Sequence, residues 1–147
     1  MPHKSIRSLT AIALLAIAST SVADPREERH ELMEEVGDAA KVIGGMLKGE
    51  RPYDADAFMG AIEVFQDVSL SFGELFPPGT ETGMGTEAAP AIWEDRAGFD
   101  AALFQWQDAV TAAIDANPDS LDAAKPVAGP IFNSCKNCHD SYRIEDE

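Results

Sequence analysis

Residues 90–117 read PAIWEDRAGFDAALFQWQDAVTAAIDAN. Within them Ile92, Arg96, Phe99, Leu103, Trp106, Val110 and Ala113 follow one another in alternating steps of four and three. That periodicity is the seam of a helix packed into a bundle, with Arg96 its one polar member. Pro118 marks its end, because the residue before a proline is pushed out of helical geometry.

Upstream lies FPPGTETGMGTEAAP, residues 76–90. Paired prolines and repeated glycines cannot continue a helix, so this is the longest loop the chain predicts. Before it, a helix opens near Asp54 or Asp56 and repeats Phe58, Ile62, Phe65, Ser69, Phe72 and Phe76. Earlier still, Asp24-Pro25 pairs a capping residue with proline at the first helical position, and Glu27 and Glu28 fill the first turn. The apolar face of that first helix runs Leu32, Val36, Ala39/Ala40, Ile43, Leu47 and stops at Gly49 and Pro52. A last helix spans about Ser120 to Tyr142, where Pro126 and Pro130 predict a kink or a late start. No alternating strand pattern is present. The fold expected is all-α: an antiparallel up-down-up-down four-helix bundle.

The first residues carry Lys4 and Arg7, a short apolar run from Leu9 to Ala18, and the small-x-small triplet Ser21-Val22-Ala23. That is the layout of a secretory signal peptide at residues 1–23. The run is about half the roughly 20 apolar residues a membrane span needs. Residues 24–147 then form one domain of 124 residues, long enough to build a core without disulfide staples. Nine basic residues stand against 26 acidic ones in it, a formal charge of −17. Such a surface repels nucleic acid and anionic lipid and steers basic partners.

Near the C-terminus stands SCKNCHDSYR, residues 134–143. The Cys135-x-x-Cys138-His139 pattern has three chemical readings. A thiol oxidoreductase places its CxxC at a helix start after a strand, whereas this pair sits late in the last helix of an all-helical chain. A zinc site lacks ligands, since the other histidines are His3, inside the signal, and His30. Haem attachment uses every residue: two thioethers from Cys135 and Cys138, and His139 as proximal ligand to the iron. The export signal agrees with it. The expected cofactor is one covalent haem c.

The chain resembles the class II c-type cytochromes, the cytochrome c′ family, over essentially all of residues 24–147. The resemblance rests on ELMEEVG (31–37), KGERPYDADAF (48–58), ELFPPGT (74–80), APAIWEDRAGFD (89–100) and CKNCHDSYR (135–143). These look most like the low-spin branch, which implies Met33 as the sixth iron ligand. The chain departs from the family at Phe132, where members usually have glycine, and at Pro126, an extra break. The resemblance also implies that Arg29, one turn before Met33, and Arg143, one turn after His139, pair with haem propionates; a solvated surface charge is the plainer alternative for each.

Read from the residues alone, Met33 is one of four methionines in residues 24–147 and equally a core filler. Gly37, Ala40 and Gly44 share its stripe. Glycine inside a helix costs about 1 kcal/mol against alanine, so two on one face want a reason. Either a flat cofactor lies there or another helix approaches closely. Phe65, Phe72, Trp93, Phe99 and Trp106 read as core, and His30 as exposed.

The function expected is a periplasmic mono-haem electron carrier, not an enzyme, serving a basic or membrane-bound redox partner as monomer or homodimer. The alternative is a five-coordinate haem protein that binds nitric oxide or carbon monoxide.

Overall fold

The computed structural model describes residues 23–144, so the signal segment expected at residues 1–23 lies outside them except for Ala23. Helix α1 spans Pro25–Leu47, α2 Ala55–Ser71, α3 Ala91–Glu94, α4 Arg96–Ala116 and α5 Leu121–Tyr142, with a 3₁₀ turn at Phe72–Leu75 after α2. Helices α1 and α2 start at capping aspartates. The Asp24 side chain accepts from the Arg26 amide at 2.9 Å ahead of Pro25, and Asp54 accepts from the Ala57 amide at 3.0 Å.

The four long helices run up, down, up and down, as expected. Their seams meet in one core. Ile43, Met46, Phe58, Ile62, Phe65, Val110 and Ile131 are its largest members with essentially no solvent exposure. At one end of the bundle the Tyr53 hydroxyl donates to the Pro118 carbonyl at 2.6 Å and ties the α1–α2 turn to the α4–α5 turn. At the other end the loop of residues 76–90 contributes Phe76 to a smaller apolar cluster with Ile92 and Phe99.

Two expectations are corrected. The helix predicted from Pro90 to Asn117 is broken at Asp95, whose backbone leaves helical geometry at φ −126°, ψ 64°. The Asp95 carboxylate accepts from the Gly98 amide at 3.0 Å and caps α4, and that local bond outcompetes continuation of the helix. Arg96 is accordingly no seam member. It is exposed, pairs with Asp100 at 2.7 Å and donates to the Gly73 carbonyl at 2.9 Å, reaching a carboxylate and the post-α2 turn together.

Of the kink or late start expected of the last helix, the late start does not occur: α5 begins at Leu121 and runs through both prolines. Asp122, Pro126 and Pro130 share its exposed face. The carbonyls of Asp122 and Pro126, which lose their amide donors, therefore face water that can solvate them.

Candidate haem site

Helix α1 packs chiefly on α2, and α4 chiefly on α5, while α1 and α5 make the slightest of the long-helix interfaces. A cavity of about 840 Å³ opens at the loop-covered end of the bundle, within the range of small-molecule and cofactor sites. Cys135, Cys138 and His139 line it from α5, and Met33 from α1. The i, i+3, i+4 spacing of the CxxCH run keeps its three reactive side chains on neighbouring faces of one helix. The apolar wall comes from Val36, Phe72, Phe76, Leu103, Trp106 and Phe132. Phe72, Phe99 and Trp106, read from sequence as core, are core residues whose other side faces the cavity; Phe65 is core alone, and Trp93 packs on Phe76. Phe132 takes the position expected to be glycine, half-buried between core and cavity.

The two glycines on the Met33 stripe answer the question they raised. A methyl group built on Gly37 or Gly44 meets no atom within 4 Å, so no helix approaches closely at either. Gly37 and Ala40 line the cavity, leaving its α1 wall low and open. Gly45 is the position of close approach on α1: its methyl group would lie 3.1 Å from Arg51.

Both cysteines are free and half-buried. Burial pushes the Cys135 thiol up, and burial followed by repulsion from Cys135 pushes Cys138 up to about 11. Reactive CxxC thiols have the opposite shift. His139 keeps more than a third of its surface open to solvent, yet its surroundings disfavour the imidazolium: burial first, then the Arg143 charge, lower its affinity for a proton. A neutral imidazole is the form that binds a metal. Among the described residues no three His, Cys, Asp or Glu side chains gather into a metal cluster.

Arg29 is not a solvated charge. It is 5 % exposed, lies 4.6 Å over the Phe76 ring, and spends both terminal nitrogens on the loop. Its Nε and the Trp106 Nε1, both buried in cavity-lining residues, have no hydrogen-bond partner among the described residues. Buried donors of this kind call for an acceptor. Arg143 lines the mouth, exposed, with its Nε donating to Glu87 at 2.6 Å. His30 is exposed as expected and sits 3.5 Å from Glu34, also at the mouth. The loop residues Thr80, Thr86 and Glu87, which receive these arginines, had no sequence signal: no periodicity marks them, and their partners lie over 50 residues away.

An apolar cavity with paired thiols, an adjacent imidazole, a thioether and two unpartnered donors fits a covalently attached haem. A family model described as cytochrome c′ matches residues 24–143. The chain belongs to the cytochrome c′ family. A cytochrome c′ of Rhodopseudomonas palustris is 34% identical over 130 residues, 88% of this chain and 86% of that protein. A cytochrome c-556 of Agrobacterium tumefaciens is 34% identical over 122 residues, 81% of this chain and 96% of its own length. The solved cytochrome c′ of Rhodopseudomonas palustris superposes with a TM-score of 0.81 at 32% identity, covering 86% of this chain and all of that one. These relatives carry the names of cytochromes, not of enzymes. The family cofactor is one covalent haem c, for which Cys135, Cys138 and His139 supply the attachment motif. No helix among the described residues is long and apolar enough to cross a membrane.

Proposed function

We propose that this chain is an exported, periplasmic electron carrier whose haem iron is held by His139 and Met33. The observation that carries the reading is that Met33, from α1, lines the same cavity as Cys135, Cys138 and His139, from α5. When bound, the haem supplies a one-electron ferric/ferrous couple, and a His/Met ligand set raises its potential and favours electron transfer over gas binding.

The chain's own residues do the rest. Cys135 and Cys138 anchor the cofactor to α5, and His139 presents a neutral imidazole beside them. Met33 offers a thioether sulfur from a second helix, so the pair is held by two elements. Phe72, Phe76, Leu103 and Trp106 exclude water from the cavity wall. The Arg29 Nε supplies a buried donor, and Arg143 a charge at the mouth, for the propionates. The acidic surface steers a basic redox protein into a short-lived, salt-sensitive encounter.

Relatives named cytochrome c-556 support this reading. Relatives named cytochrome c′ support the alternative, an iron bound by His139 alone and open to nitric oxide or carbon monoxide. Replacing Met33 by Leu separates them. A change from low-spin to high-spin bands on Met33→Leu supports the carrier. Identical spectra for the two proteins reject Met33 as a ligand.

A further inference from the structure

The two ligand-bearing helices are joined at the mouth of the cavity by a short piece of loop. On α1, Arg29 stands one turn before Met33; its Nη2 donates to the Thr80 carbonyl at 2.9 Å and to the Thr86 hydroxyl at 3.0 Å. At the end of α5, the capping residue Arg143 stands four residues after His139, and its Nε donates to the Glu87 carboxylate at 2.6 Å. Two backbone bonds reinforce the second attachment: the Ala89 amide donates to the Tyr142 carbonyl at 2.9 Å, and the Ile144 amide to the Glu87 carbonyl at 2.7 Å. Thr86 and Glu87 are consecutive. Each ligand helix is therefore fastened, one turn from its ligand, to neighbouring residues of one strap.

This attachment matters because of how the bundle is packed. Core contacts fix α1 against α2, α2 against α4 and α4 against α5, but α1 and α5 touch little. The α1–α5 side of the bundle is the one least fixed by core contacts, so an attachment that spans it adds the direct constraint that packing there lacks. Arg29 is also costly to bury unpaired, so its bonds hold the strap in one place.

We propose that the Thr86–Glu87 strap fixes the spacing of α1 and α5 across the cavity and thereby keeps Met33 on the iron. Thr86 and Glu87 are positioning residues for the axial pair. The proposal rests on the reading of His139 and Met33 as that pair.

The test compares holo-protein carrying Thr86→Val, Glu87→Gln or both with wild type, Thr86→Ser and Met33→Leu. Carbon monoxide binding to the ferrous protein and the sulfur-to-iron charge-transfer band of the ferric protein report the ligand. Amide hydrogen exchange reports the first turns of α1. Thr86→Val and Glu87→Gln are each expected to tighten apparent carbon monoxide binding roughly tenfold, as a tenfold larger open fraction would. The charge-transfer band weakens in step, the double variant goes further, and Thr86→Ser, which keeps the hydroxyl, stays near wild type. Exchange quickens in the first turns of α1 while the α2–α4 core stays protected. Strap variants that match wild type in gas binding, with Met33→Leu clearly different, overturn the strap proposal alone. Wild type and Met33→Leu binding carbon monoxide equally overturn the axial reading, and the strap proposal with it.

Discussion

Gly37 stands one turn beyond Met33 on α1, both line the cavity, and a side chain at Gly37 would enter space that no protein atom occupies within 4 Å of its first carbon. Gly44 has the same open surroundings on the same stripe but does not line the cavity. The two glycines thus share a helix and differ in what their missing side chains leave room for.

That difference is measurable. In protein lacking haem, Gly37→Ala and Gly44→Ala should each raise stability by about 0.5–1 kcal/mol, the helix-propensity gain. In the loaded protein Gly44→Ala should keep its gain, while Gly37→Ala loses it and lowers the yield of attached haem. Denaturant unfolding of both forms checks this. Equal gains at the two sites in the loaded protein would show that Gly37 is not part of the cofactor's bed.

Arg29 holds the loop more than it meets solvent. Replacing it with Met leaves the buried Thr80 carbonyl without its donor and should cost about 2–4 kcal/mol by urea unfolding. Arg29→Lys should recover less than half, because an ammonium cannot reproduce a planar fork that binds several acceptors and stacks on Phe76. A surface charge with no such role would show less than about 0.5 kcal/mol for either change.

The raised thiol pKa values predict slow alkylation in the chain before haem is attached. The thiolate is the reactive form, so a pKa raised by burial moves reactivity to higher pH. Cys138 should react slowly at pH 7, more slowly than a free cysteine, and accelerate as pH approaches about 11. The sign for stability follows. The fold favours the protonated thiol, so this contribution is complete below the unfolded pKa near 9.0 and is lost as pH rises toward 11. Rapid labelling at pH 7 in the folded chain would restore the thiol-oxidoreductase reading.

Much of the fold was legible because it is periodic. Phe99, Trp106, Val110 and Ala113 mark their buried face by spacing alone, and the same holds for Phe58, Ile62 and Phe65 on α2. The break at Asp95 escaped because a seam read over seven positions outweighs one capping side chain, although Asp95 and Gly98 stand at cap spacing. The prolines of α5 left a late start open for a related reason: their cost depends on whether the freed carbonyls meet water, which only the bundle decides. Cys135, Cys138 and His139 were legible as a local motif. For Met33 only the glycine stripe and a family resemblance set the proposed ligand apart from core filler. The strap was not legible at all. Arg29 meets Thr86 across 57 positions and Arg143 meets Glu87 across 56, through a loop without periodicity. Long-range polar contacts of this kind leave no pattern in a single sequence.

The visible spectrum of the reduced, loaded protein before and after carbon monoxide is the most direct test of the central claim. Sharp low-spin bands are expected, left unchanged by carbon monoxide at concentrations that saturate Met33→Leu, the sign of an iron closed by His139 and Met33. Broad high-spin bands that shift on adding carbon monoxide would contradict it and make the protein a gas binder.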